Sequence, residues 1–191
     1  VYRSDWNDGS GYFFGAKIEG AFTKYCAYYN STISNYSWVA TAKDGTKYYF
    51  GTSNNSRQEN SYGTFKYCLD KVIDTNGNAM YIVYQDNNSQ YYSGSGQIYP
   101  YAIYYTGNES TGLSTNKTTY FELETRTDPQ ISYQTKTETT ISKRLKAIHI
   151  YTDGVLTRQY VLSYENNPYT GRSRLSQVQI VGYKNGVADT S

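Results

Sequence analysis

Few side chains in this sequence could do chemistry by type and spacing, and each has a structural reading beside the reactive one. His149 is the only histidine. A nucleophilic triad would need it beside a hydroxyl or thiol and a carboxylate, and a zinc site would need more ligands than one imidazole and two scattered thiols. It falls mid-strand, opposite Arg158 in the hairpin register set out below, which makes it a sheet-face residue. Glu122 and Glu124 stand two apart on a strand and so share a face, as a glycosidase pair would need. Arg126 follows on that face as an ion-pair partner, and a salt-bridged or solvated pair is the structural reading. DTNGNA (74–79) and DNNSQYYSGSG (86–96) hold the ligand types of a calcium loop. Neither has glycine at the sixth position and glutamate at the twelfth. No helix follows Gly94-Ser95-Gly96 to set a phosphate on its N-terminus. The sequence therefore assigns no catalytic residue, no cofactor-binding residue and no metal ligand, and the chain reads as not an enzyme and without cofactors.

Cys26 and Cys68 lie in similar settings, TKYCAYY and FKYCLDK. They are either a disulfide of an oxidising compartment or two separate thiols packed as small hydrophobes, and spacing alone does not show that they meet. Sequons begin at Asn30, Asn35, Asn54, Asn87, Asn108 and Asn116. In a chain this rich in Asn, Ser and Thr they arise by chance, and they matter only in a source that makes N-glycans.

The elements that carry these residues follow from composition and turns. The chain has 191 residues, 25 of them tyrosine, with 18 Lys and Arg against 16 Asp and Glu. A formal charge of +2 gives no reason to expect nucleic acid or anionic membrane as a partner. No apolar run approaches the length of a membrane-spanning helix. Tyrosine packs its ring on a pleated surface while its hydroxyl stays wet, so with abundant Thr, Ser, Asn and Gly the composition points to β-sheet with polar turns. In the doublets Tyr28-Tyr29, Tyr48-Tyr49, Tyr91-Tyr92 and Tyr104-Tyr105 one ring should point to each face. The chain begins at Val1 with no visible signal peptide and ends just past a turn, where a further strand is expected. It reads as a segment of something longer.

Three hairpins are legible residue by residue. Asp44-Gly45, Asn76-Gly77 and Asp153-Gly154 suit two-residue type I′ turns. The first pairs Thr41 with Tyr48 and Val39 with Phe50; the second pairs Ile73 with Met80 and Leu69 with Tyr84. The third pairs Tyr151 with Leu156, Ala147 with Tyr160 and Leu145 with Leu162, which makes those six residues one buried face. The opposite face carries Ile148, Ile150 and Val161, so something should cover it as well. Thirty residues on from Arg144-Leu145, RLSQVQIVGYKNG repeats the pattern. Residues 98–105 and 119–127 read as further strands, 131–143 as a strand edge or extended connection, and 52–63, 85–97 and 106–118 as loops. The expectation is an all-β chain of antiparallel hairpins with ten to fourteen short strands and little or no helix, arranged as a shell wall or sandwich.

The order of these segments is similar to the SpvB-type domain, found in virulence-plasmid B proteins and in the B component of bacterial Tc insecticidal toxins. The segments are WVATAKDGTKYYFG (38–51), DKVIDTNGNAMYIVY (70–84), FELETRTD (121–128), RLKAIHIY with TRQYVLSY (144–164) and SRLSQVQI (173–180). One departure is Phe-Lys-Tyr-Cys-Leu before the second hairpin, where the family often has Trp. Residues 1–37 do not align and would be N-terminal edge or cap strands, with the SpvB-like hairpin region at 38–191. The resemblance implies a secreted, non-catalytic segment of Rhs/YD-repeat-like sheet, forming the wall of a shell that encloses or presents a toxic payload. Its partners would be other segments of the same toxin chain or its C component. The family's ADP-ribosyltransferase and self-cleaving aspartyl protease lie in other regions, and no residue here matches them. The competing reading is a β-sandwich carbohydrate-binding or adhesin module, with glycan contact through a row of exposed aromatics.

Overall fold

The computed structural model describes residues 1–86 and 97–189. The strands are β1 (Tyr12–Phe14), β2 (Lys24–Asn30), β3 (Asn35–Thr41), β4 (Lys47–Phe50), β5 (Arg57–Asn60), β6 (Gly63–Tyr67), β7 (Leu69–Ile73), β8 (Asn78–Asp86), β9 (Ile98–Asn108), β10 (Lys117–Ser132), β11 (Thr139–Thr152), β12 (Val155–Asn166), β13 (Ser173–Lys184) and β14 (Val187–Ala188). The only helical pieces among the described residues are 3-10 turns at Ser4–Trp6 and Asn54–Ser56. Twelve strands form one antiparallel meander in which every strand pairs with its chain neighbours, except that β5 and β6 leave it as a two-stranded flap between β4 and β7. β3 runs across residue 38, so the sheet is continuous there.

The flap starts inside 52–63, read from sequence as loop, and runs on to Tyr67. Its first strand, RQEN, has no apolar residue, and its second, GTFKY, has only Phe65 and Tyr67 as a signal. Side chains hold it across the sheet: Asn35 Nδ2 donates to Thr64, Asn55 Nδ2 to the Tyr84 carbonyl, and Asn60 Nδ2 to Thr135 O and Thr137 Oγ1. Residues 133–138 form the turn between β10 and β11 rather than an extended connection.

Two of the three hairpin registers are one residue off the sequence expectation. Thr41 pairs with Lys47 and Val39 with Tyr49; Val72 pairs with Met80 and Ile73 with Ala79. In both, the loop has three residues, and only its last, Gly45 or Gly77, has positive φ. The Asp44 and Asp74 carboxylates accept backbone N–H groups inside these loops. The third turn is the expected two-residue one, with Asp153 and Gly154 both at positive φ. Beyond it the strand bulges at Thr157, whose hydroxyl donates to the Ile150 carbonyl. Ala147 therefore pairs with Val161, Ile148 with Tyr160 and His149 with Gln159, not Arg158. Since paired residues share a face, the bulge moves Tyr160 to the side of Ile148 and Ile150. Val161 goes with Ala147 and Tyr151.

Bulges recur at regular places. Counted against the preceding strand of the meander, β7 has one extra residue at Asp70, β9 one at Tyr101 and another between Tyr104 and Gly107, β11 one at Lys146 and β13 one at Ser176. A bulge breaks the ladder and adds local bend and twist, so bulges in alternate strands add twist to the sheet. Tyrosine hydroxyls meet backbone groups at two of these bulges, on β7 and β11, and at the separate break between β10 and β11 after Thr125. Tyr84 donates to Leu69 O (2.7 Å), Tyr164 donates to Leu145 O (2.6 Å), and the Tyr99 hydroxyl accepts the Ser142 and Lys143 N–H groups. Tyr164→Phe should lower stability by about 1–2 kcal/mol by stranding the Leu145 carbonyl, measured as a fall in urea midpoint with unchanged m.

Burial is lateral rather than between layers. Among the described residues the buried apolar ones are Phe13, Tyr99 and five alanines, Ala27, Ala40, Ala79, Ala102 and Ala147, and the largest fully buried side chains are Ser37 and Ser56. Ala27 is flanked on neighbouring strands by Tyr12 and Trp38, and Ala102 by Val83 and Tyr120. A small residue is covered here by larger neighbours on its own face. The accessible surface is 11666 Å², against about 9,300 Å² for a compact monomer of this mass.

Candidate functional site

Register sorts the two faces of the sheet by chemistry. On one, Val39, Tyr49, Lys71, Tyr81, Tyr104, Thr118 and Tyr151 are successive cross-strand partners. Lys71 lies over the Tyr49 ring at 5.0 Å and pairs with Glu109 at 2.6 Å, and the Tyr81 hydroxyl also donates to Glu109. That bond pushes the Tyr81 pKa up to about 12. On the other face Ile82, Ile103, Thr119 and Ile150 form one rung, and Phe121, Ile148, Tyr160 and Ile180 another. In the N-terminal strands the apolar face is aromatic, with Tyr12, Tyr25, Tyr29, Tyr36 and Tyr48 exposed.

The sequence candidates collect on the charged face. Glu122 accepts Lys146 Nζ at 2.6 Å and faces His149 Nε2 at 2.9 Å. The Tyr183 hydroxyl occupies Gln159 Oε1, so Gln159 Nε2 faces His149 Nδ1 as donor in a long 3.5 Å contact. The ring proton then sits on Nε2, aimed at Glu122. This chain of groups crosses β10 to β13. Glu124 pairs with Arg144 at 2.6 Å. Arg126, the partner expected from sequence, instead binds Asp128, which also accepts the Ser173 N–H and hydroxyl. The bulge at Lys146 explains the exchange, because it turns Lys146 and Ala147 to the same side opposite Glu122. Each carboxylate is engaged by a cation, and the arrangement is that of cross-strand ion pairs on a sheet.

The Lys146 hydrogen bond, followed by that of His149, holds the Glu122 carboxyl below the usual carboxylate range. A depressed folded pKa stabilises the fold above the unfolded value and loses that contribution as pH falls through the folded one. The Glu122 side chain is 39% exposed, so solvent screens the effect. Glu122→Gln should therefore leave a slightly flatter fall in stability between about pH 5 and pH 3, read from urea midpoints across that range.

The remaining candidates are structural or lie outside the described residues. Asp74 accepts Asn76 N, Asn78 N and Asn78 Nδ2, so DTNGNA is a saturated turn. DNNSQYYSGSG beyond Asp86, with Gly94-Ser95-Gly96, Tyr91-Tyr92 and Asn87, lies outside the described residues. Among the described residues no three His, Cys, Asp or Glu side chains gather as metal ligands would. Cys26 and Cys68 are free thiols, and burial pushes both pKa values up. The amide nitrogens of Asn30, Asn35, Asn108 and Asn116 each donate hydrogen bonds within the fold. Sequence reasoning missed the lacing of the hairpin tips, where Asn108 reaches Asn76 O and Asn116 reaches Asp153. The doubled Arg-Leu of 144–145 and 174–175 was the visible trace of the bulge repeat.

The structure defines an open, single-layer antiparallel meander, bulged at intervals, with one charged and one apolar face. No family model matches the chain, and no curated protein matches it in sequence. Among solved structures, the N-terminal domain of the effector SpvB from Salmonella typhimurium strain LT2 aligns over 91% of this chain and 69% of its own, with TM-score 0.75 and 14% identity. The TcdB2-TccC3 complex aligns over 99% of this chain and 12% of its own, with TM-score 0.73 and 14% identity. A Photorhabdus luminescens Tc holotoxin pore aligns over 93% of this chain and 11% of its own, with TM-score 0.75 and 15% identity. The chain thus has the fold of the SpvB N-terminal domain and of a stretch spanning about a tenth of the Tc toxin chains. Among the described residues no helix is long and apolar enough to cross a membrane.

Proposed function

We propose that this chain is a non-catalytic segment of a secreted bacterial toxin of the Tc/SpvB type, contributing sheet to the wall of a shell that encloses or presents a payload. Its partners in that reading are other segments of the same toxin chain or its C component. The observation that carries it is a twelve-stranded layer that, among the described residues, meets no second sheet larger than the two-stranded flap and keeps apolar side chains exposed. A wall needs sheet extended by hairpins and two chemically distinct faces, one for each side. It needs no site, and Glu122 and Glu124 are already committed to cations. The sandwich expected of a carbohydrate-binding or adhesin module would need a second sheet, and among the described residues only the two-stranded flap is present beside the main one.

Solution scattering with a size-exclusion mass tests the reading. Twelve strands at ~4.8 Å spacing make a slab ~50 Å across, with a radius of gyration near 20 Å. A compact monomer of this length would show ~16 Å. The larger value supports wall material; the smaller, with binding to a glycan panel, moves the function to a self-contained module.

A further inference from the structure

We propose that the outer edge of β13 docks one more antiparallel β-strand, and that this strand carries a tyrosine one residue beyond the position opposite Leu175. The inference rests on the wall reading, since the strand would come from another segment of the same toxin.

The argument is the bulge repeat. At Leu69-Asp70 of β7, the next strand lays the Tyr84 hydroxyl on the Leu69 carbonyl; at Leu145-Lys146 of β11, the next strand lays Tyr164 on Leu145. The placement is the same in both. Lys71 pairs with Tyr81, which sets Leu69 opposite Val83, and Ala147 pairs with Val161, which sets Leu145 opposite Ser163. Each tyrosine is the next residue. β13 repeats the bulge at Leu175-Ser176, two strands after β11 and running in the same direction. Among the described residues no strand pairs with the outer side of Ser173–Val181; β14 meets Tyr183 and Lys184, and the Asp189 N–H just after it donates to the Gly182 carbonyl.

Exposed edges are normally blunted by proline, by inward charge or by shortness. β13 is 12 residues long, has no proline, and is charged only at Arg174 and Lys184. Val178 and Ile180 are 48% and 64% exposed. A second copy of β13 does not supply the tyrosine. The two-fold axis of an antiparallel pair passes between a residue and its own copy, so Leu175 can face only odd-numbered residues. Tyr183 would have to follow Gly182.

The test uses the 191-residue chain and a fluorescein-labelled peptide of the β12 sequence, VLTRQYVLSYEN, which already does this on β11. Anisotropy should show binding, amide exchange should slow across Ser173–Val181, and the peptide with Tyr164→Phe should bind roughly five- to tenfold more weakly. Equal affinity of the two peptides, protection elsewhere, or a dimer of the chain that protects β13 would each overturn the proposal. Tyrosine-dependent docking on a compact particle upholds the edge and sinks the wall; an extended particle whose edge ignores the peptide does the reverse.

Discussion

Asp70→Ala will cost about 3–4 kcal/mol of unfolding free energy, because a buried acceptor serving several donors at once disappears. Asp70 is 6% exposed. Its Oδ2 accepts Thr52 N (2.7 Å), Thr52 Oγ1 (2.8 Å), Ser53 N (3.3 Å) and Ser56 Oγ (2.5 Å). Those donors form the root of the flap, and Asp70 is itself the extra residue of the first bulge, so one side chain joins flap to sheet. The loss has a location. Hydrogen exchange should speed up across β5 and β6 while β10 to β12 stay protected, and Asp70→Asn, which keeps an acceptor, should cost about half as much. A loss under about 1 kcal/mol, or exchange rising evenly through the sheet, would show that the flap is held by its outer contacts at Asn35 and Asn60 instead.

The fold class was legible because its signals are local: β-branched and aromatic runs, punctuated by Gly-containing turns. Register was not. Asp-Gly and Asn-Gly serve equally as the two centres of a type I′ turn or as the end of a three-residue loop closing on glycine. At residues 44–45 and 76–77 an aspartate, Asp44 inside the first loop and Asp74 at the start of the second, binds the backbone and favours the longer form, whereas at 153–154 both residues take positive φ. Bulges are quieter still. Nothing in LTRQY shows that Thr157 is extra, yet that one residue decides whether Tyr160 sits with Ala147 or with Ile148. The candidate cluster shows the same limit. Spacing gave Glu122 and Glu124 one face correctly and Arg126 wrongly as their partner, because cross-strand neighbours depend on a register that a bulge had moved. The flap stayed hidden because a strand covered by polar contacts need not alternate.

Tyr120→Ala will cost about 3–4 kcal/mol, as much as losing a large core aromatic, although Tyr120 lies in a single layer. Its ring meets Tyr101 at 5.5 Å, Tyr104 at 6.2 Å and Tyr151 at 5.5 Å, all edge-to-face, and it stands beside fully buried Ala102. In a sandwich an outward tyrosine spans one layer and its removal costs little. Here tyrosines packed sideways are the core, and Tyr120 bridges β9 and β11. Tyr120→Phe keeps every ring contact and gives up only a 3.4 Å hydroxyl contact with Tyr104, so it should cost less than about 1 kcal/mol. The contrast between the two variants separates ring packing from hydroxyl bonding. Exchange protection should fall together in β9 and β11 for Tyr120→Ala and leave the flap unchanged, the reverse of Asp70→Ala. If both variants instead soften the whole sheet alike, the meander unfolds as one unit and lateral packing is shared too widely for any one ring to matter.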